Sequence, residues 1–172
     1  MLASESAWRI LRAEHRQLER LWARVDAALG MPDWPRPSQC RLLKNALLRF
    51  RSFDDAAHRP KGIALITALR GRSRQMDDLL GRLEAGREEM DRLLSQALAL
   101  LGEDSSDEAR AARCRSVLAQ YGELLRRQLD VEDTALHADA ARLLGEEDWS
   151  RIVSSISPVI AAAPRRRGRS LE

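Results

Sequence analysis

A chain of 172 residues and 19.4 kDa is long enough to bury one hydrophobic core and short enough that a single domain is expected. With 44% hydrophobic and 32% charged residues it has the composition of a folded soluble protein, which excludes intrinsic disorder, and no run of about eighteen apolar residues is present to span a membrane. The net charge of +3 is spread over helical faces where basic residues alternate with Asp and Glu, so nucleic acid is not an expected partner; that 27 of the 29 basic residues are arginine reads as a GC-rich genome.

The first helix is expected to start after Ser4 or Ser6 and to stop near Gly30, where GMPDWPRPS supplies a glycine and three prolines. Within it Trp8, Leu11, Leu18, Trp22 and Val25 fall at alternating spacings of three and four, and the slot between Leu11 and Leu18 holds His15. Taken alone, such a histidine is more often a hydrogen-bonded core residue than a ligand. Ser38 is expected to cap a second helix with Leu43, Leu47 and Phe50 on its inner face, followed on that face by Asp54 and His58. Pro60 lacks a backbone donor and disfavours helical geometry at Arg59, so this helix should end at His58, in a kink or break followed by a short apolar helix in HRPKGIALITALRGR that closes at Gly71.

The third helix has the cleanest seam in the chain, Met76, Leu80, Leu83, Met90, Leu94, Ala97 and Leu101, interrupted at its centre by Arg87. GEDSSDEA forms the next turn, with Ser105 or Ser106 as the expected cap. The inner face of the fourth helix runs through Cys114, Val117, Tyr121 and Leu124 or Leu125, then Gln128 and Glu132, then Ala135. His137 reads as a surface or turn residue. A terminal helix in LLGEEDWSRIVSSIS should pack Trp149, Ile152 and Ile156 across the others. Residues 1–157 are expected to form the bundle and 158–172 a disordered basic tail, PRRRGRS, ending in Leu171 and Glu172, which resemble a cloning scar.

Four long amphipathic helices, with no alternating strand pattern and no Asn-Gly hairpin, define an all-α protein, an antiparallel up-down four-helix bundle with an extra short C-terminal helix. No phosphate loop, nucleophile elbow or Cys/His zinc spacing accompanies it. Cys40 and Cys114 form no C-x-x-C unit, and the start MLASESAWRILRAEH lacks a secretory apolar region, so a reducing cytoplasm is the expected setting. The informative feature is that every long helix breaks its apolar seam: His15, His58, Arg87, and the pair Gln128 and Glu132. An up-down order brings these breaks to one level inside the bundle, where bundle proteins build metal sites.

In RAEHRQLERL, HRPKGIALITAL and QLDVEDTALHADAARLL followed by EEDWSRI, the chain resembles the hemerythrin-like, or HHE cation-binding, family, over roughly Ala7 to Ile152. The resemblance implies a helical bundle holding two iron ions through histidines and bridging carboxylates, in proteins associated with oxygen, nitric oxide or iron. On that alignment His15 and His58 stand at family histidines and Glu132 keeps a family carboxylate. Gly62 stands where a carboxylate should follow His58, Gly86 and Arg87 replace a Glu-His pair, and Gln128 replaces a histidine.

A di-iron centre needs about five or six imidazole and carboxylate ligands. Three remain, and a guanidinium cannot ligate. The expectation is therefore a degenerate site with no cofactor: a non-enzymatic regulatory or interaction bundle, with an unknown protein partner, dimerisation left open, and no membrane association. The alternative is a functional cation-binding protein, mono- or di-iron or with another divalent metal, that senses or carries oxygen, nitric oxide or iron through His15, His58 and Glu132, with help from Asp54 or Asp91. Two conformations of Arg87 stand open at this point. It either turns inward and pairs with Glu132 bidentately, leaving donors for Gln128, or runs its head out to solvent.

Overall fold

The structure is a computed structural model and describes residues 2–31, 34–102 and 107–156. Among these residues all regular structure is helical, in four long rods and one short terminal helix. The first rod is α1 (Leu2–Leu29). The second is continuous through α2 (Pro37–Phe53), a π turn (Asp54–His58) and α3 (Arg59–Leu69), and the third is α4 (Arg74–Gly102). The fourth runs through α5 (Glu108–Val131), a second π turn (Glu132–Leu136) and α6 (His137–Leu143), and α7 (Glu146–Ile156) follows. Short connections make successive rods antiparallel neighbours, and α7 lies across α1 and α3 at one end.

The seams read from the sequence form the core. Trp8, Leu11, Leu18, Trp22 and Val25 are buried on α1, Leu43, Leu47 and Phe50 on α2, and Met76, Leu80, Leu83, Met90, Leu94, Ala97 and Leu101 on α4. Removing a Leu, Ile, Phe or Met side chain from water contributes about 1.5–3 kcal/mol each, and that periodic burial holds the rods together. Cys40 and Cys114 are buried and free, and Trp149 and Ile152 pack inward from α7.

Several local expectations are corrected. Ser4 and Ser6 lie inside α1, which begins at Leu2. Arg36, not Ser38, is the N-cap residue of α2, and Pro37 takes the first helical position, where a missing N–H costs nothing. The second rod does not end at His58. The π turn moves the hydrogen-bond ladder on by one residue, so the Arg59 N–H reaches the Asp54 carbonyl, and Pro60 enters where the ladder is being reset. The Lys61 ammonium donates to the Ala57 carbonyl at 2.8 Å and to Glu14 of α1 at 2.9 Å, which ties this region down. Gly71 does close the rod, with φ +77°, a left-handed conformation suited to glycine.

Asp107 caps α5, accepting from the Ala109 N–H at 3.0 Å. Ser105 and Ser106 lie outside the described residues, as do the tail 158–172 and the side chain of Ile156. In the fourth rod the wide π turn displaces the inner face by one position, so Leu136 is buried and Ala135 is exposed. Leu125 faces inward, with Leu124 only partly buried beside it.

The core is in two parts. Leu18, Trp22, Leu43, Leu47, Phe50, Met90, Leu94, Leu118, Tyr121 and Leu125 belong to one apolar cluster, and Trp8, Leu11, Leu65, Leu69, Leu80, Leu83, Leu136, Trp149 and Ile152 to another. Each rod crosses from one cluster to the other at its seam break: Leu11 to Leu18 at His15, Phe50 to Leu65 at His58, Leu83 to Met90 at Arg87, and Leu125 to Leu136 at Gln128 and Glu132.

Candidate metal centre

The polar residues at this waist are buried: His15, His58, Gln128 and Glu132 are each at most 9% exposed. Both π turns are at the site, one ending on His58 and the other beginning on Glu132. A π turn re-aims side chains by one residue and is common where a helix must present ligating groups.

The two imidazoles are oriented in the same way. His15 Nδ1 lies 3.0 Å from Asp133 Oδ1, and His58 Nδ1 lies 2.8 Å from Asp54 Oδ1. An ionised carboxylate only accepts, so each Nδ1 carries the hydrogen and donates it. In the neutral imidazole that leaves each Nε2 pointing inward with its lone pair; in the imidazolium Nε2 carries a second hydrogen. Both Nε2 atoms approach the same oxygen, Glu132 Oε2, at 3.2 and 3.5 Å, yet neither makes an aligned hydrogen bond with any group. The ligand atoms of His15, His58 and Glu132 all lie within 4.8 Å of one another. Two lone pairs and a carboxylate oxygen converging in a dry interior repel unless a cation lies among them.

The titration behaviour follows from this crowding. Burial alone would push the His58 imidazole down, but its bond to Asp54 and the nearby Glu132 carboxylate outweigh that and raise its pKa from 6.5 to about 9. Burial would raise Glu132, yet the two histidines hold its carboxyl well below the usual carboxylate range. Asp54 is also lowered, burial being outweighed by His58 and by the guanidinium charges of Arg59 and Arg87.

The other oxygen of Glu132 faces different partners. Gln128 Nε2 donates to Oε1 at 3.3 Å and to the Leu83 carbonyl at 3.2 Å, and an Arg87 guanidinium nitrogen lies 3.6 Å from Oε1. Arg87 therefore turns inward, but as a one-armed ion pair rather than a bidentate one. Its guanidinium fills the space in front of Gly62: a Cβ on that glycine would lie 3.6 and 3.8 Å from its two terminal nitrogens. Gly86 is tighter than Gly62, since a Cβ there would come within 2.9 Å of Gln128 Oε1. The two glycines and the two polar side chains are complementary pairs across helices.

Of the expected helpers, Asp54 reaches the site only through His58. Asp91 does not reach it, because it is held by Arg59 in a two-armed pair at 2.6 and 3.0 Å. His137 is partly buried, accepting from Arg12 at 3.2 Å and packed edge-on against Trp8, with ring centroids 4.4 Å apart. Asp133 went unrecognised in the sequence. Its only signal is an acid beside a seam glutamate, and the π turn is what makes that neighbour useful.

An antiparallel helical bundle whose waist gathers two oriented imidazoles and a buried carboxylate defines a helical cation-binding domain. The chain belongs to the hemerythrin HHE cation-binding domain family, whose profile matches residues 6–140. No curated protein and no solved structure matches it. No described helix is long and apolar enough to cross a membrane.

Among the described residues, the donor set is placed to hold one metal ion. His15, His58 and Glu132 supply two imidazoles and one carboxylate, a set suited to iron and other divalent first-row metals. On the far side of Glu132 stand Gly62, the Gln128 amide and the fixed positive charge of Arg87.

Proposed function

We propose that the protein is a hemerythrin-like bundle that has lost the dinuclear centre and binds a single divalent cation, iron or a related metal, through His15, His58 and Glu132. Arg87 takes the place of the second ion on Glu132. The observation that carries this reading is the matched orientation of the histidines: each Nδ1 is held by its own carboxylate, and both Nε2 atoms face Glu132 Oε2 without a hydrogen bond. Carboxylates behind ligating histidines fix the tautomer and raise ligand basicity. A bound metal would supply Lewis acidity and, for iron, redox and small-ligand chemistry; this chain's residues bind it, orient the imidazoles and exclude water. The role we assign is non-enzymatic, a regulatory or interaction bundle whose state depends on the cation, in the cytoplasm and acting through a protein partner.

A second reading is favoured by the Arg87 pair and by the raised His58 pKa: the cation at the waist is a proton on His58, and the bundle is a metal-free, ion-paired scaffold. Elemental analysis of protein grown in iron- and manganese-supplemented medium, purified without a chelating column, separates the two. About one metal per chain, lost in His15→Ala, supports the single-cation site. Two per chain would refute the loss of the dinuclear centre, and folded protein free of metal after reconstitution would leave the proton reading.

A further inference from the structure

Outside the waist, the surface carries a concavity of about 450 Å³ formed mainly by one face of α1 and the start of α6. Trp8, Arg9, Arg12, Arg16 and His137 line it, with Glu5 as the single acid. Its arginines are paired differently from seven others on this molecule. Arg59, Arg70, Arg72, Arg92, Arg126, Arg142 and Arg151 are each hydrogen-bonded to a carboxylate. At the concavity Arg9 donates to the Ser6 hydroxyl, at 3.3 Å, and Arg16 has no partner among the described residues.

Arg12 is divided between His137 Nδ1, at 3.2 Å, and Asp133 Oδ1, at 3.9 Å, too long for a hydrogen bond. Since a guanidinium only donates, His137 accepts with Nδ1 and contributes no positive charge of its own through that nitrogen. Three guanidiniums at i, i+3 and i+7 along one helix face, with only the edge of the buried Trp8 indole at the floor, make a site for an anionic headgroup.

We propose that this concavity binds a small organic anion bearing a phosphate or carboxylate group, and that its occupancy is felt at His15. The route is short: Arg12 pairs with Asp133 Oδ1 at 3.9 Å, and the same oxygen accepts from His15 Nδ1. An anion that draws Arg12 away leaves Asp133 with more of its charge for His15. The imidazole becomes a more basic ligand, and the waist holds its cation more tightly. By linkage the cation tightens the anion by the same factor. Arg12 and Asp133 are both well exposed, so the coupling belongs at the weak end of the usual range, about fivefold. This second half rests on the single-cation reading; the pocket itself does not.

The test uses phenyl phosphate and benzoate at constant ionic strength, followed by calorimetry and by Trp8 fluorescence with Trp8→Phe as the reference. Saturable binding to chelator-treated protein is expected, weakened at least tenfold in Arg16→Ala and in Arg12→Ala and unchanged in Arg92→Ala. Arg16 has no described partner to lose, so its variant tests the pocket without endangering the fold. Preference for one probe assigns the headgroup. Absence of saturation, or equal weakening by Arg92→Ala, overturns the pocket. In metal-loaded protein, Co²⁺ affinity should rise about fivefold with the preferred probe; unchanged affinity while the probe is bound overturns the coupling. Protein that binds the probe but no metal refutes the function proposed above and leaves the pocket standing.

Discussion

Raising the pH of metal-free protein should lower its stability through one imidazole. The His58 pKa stands at about 9 in the folded chain against 6.5 for the ordinary group, because Asp54 and Glu132 more than offset its burial. A folded-state pKa above the unfolded one means that the contribution is fully present below about pH 6.5 and is lost as pH climbs to about 9. At 1.36 kcal/mol per unit this is about 3 kcal/mol, a large part of a small domain's total. Glu132 acts in the opposite sense: its depressed carboxyl contributes stability above about pH 4.5 that is lost as pH falls. Metal-free protein should therefore be most stable between about pH 4.5 and 6.5. Urea unfolding in EDTA at pH 6, 7, 8 and 9 should show the midpoint falling steadily, with most of the slope abolished in His58→Gln. A wild-type midpoint that stays level from pH 6.5 to 9, or an equal slope in the variant, would refute the ion-paired waist.

Other consequences are as definite. Glu132→Ala leaves two buried imidazoles facing each other without their counter-charge and should cost about 3–5 kcal/mol by denaturant unfolding. Asp54→Asn and Asp133→Asn remove the acceptors that orient the histidines; each should weaken metal affinity about 10–100-fold with unchanged far-ultraviolet circular dichroism. Gly122→Ala would put a Cβ 2.8 Å from Trp22 Nε1, inside a stack with Tyr121 and Phe50, and should destabilise by about 1–3 kcal/mol. The one-residue displacement in the fourth rod is checked by a pair: Leu136→Ala should cost about 2–5 kcal/mol and Ala135→Ser less than about 0.5, measured as shifts in thermal midpoint.

The helices were legible because burial follows a 3.6-residue period, and interruptions of that period marked His15, His58, Arg87, Gln128 and Glu132 before any coordinates were needed. What stayed hidden depends on departures from the ideal helix. The π turns are not encoded by a residue type, so the passage of the second rod through Pro60 and the exchange of Ala135 for Leu136 required the backbone itself. Asp133 illustrates the same limit: on an ideal helix the residue after Glu132 turns about 100° away from it, yet here it reaches the far nitrogen of His15. The inward turn of Arg87 was one of two open conformations, and it is settled by space. Gly62 supplies the room that a longer side chain would have filled.

The division of the core into two apolar clusters has a consequence for how this molecule could be improved and what that would destroy. A well-packed layer of leucine and methionine at positions 15, 58, 87, 128 and 132 would fuse the clusters, and replacing buried ion pairs by apolar side chains of like volume is often neutral or stabilising by about 1–4 kcal/mol. Such a variant would melt higher and bind no cation. The polar waist is thus a weakness kept in the middle of an otherwise oily column, and any chain selected for cohesion alone would have closed it.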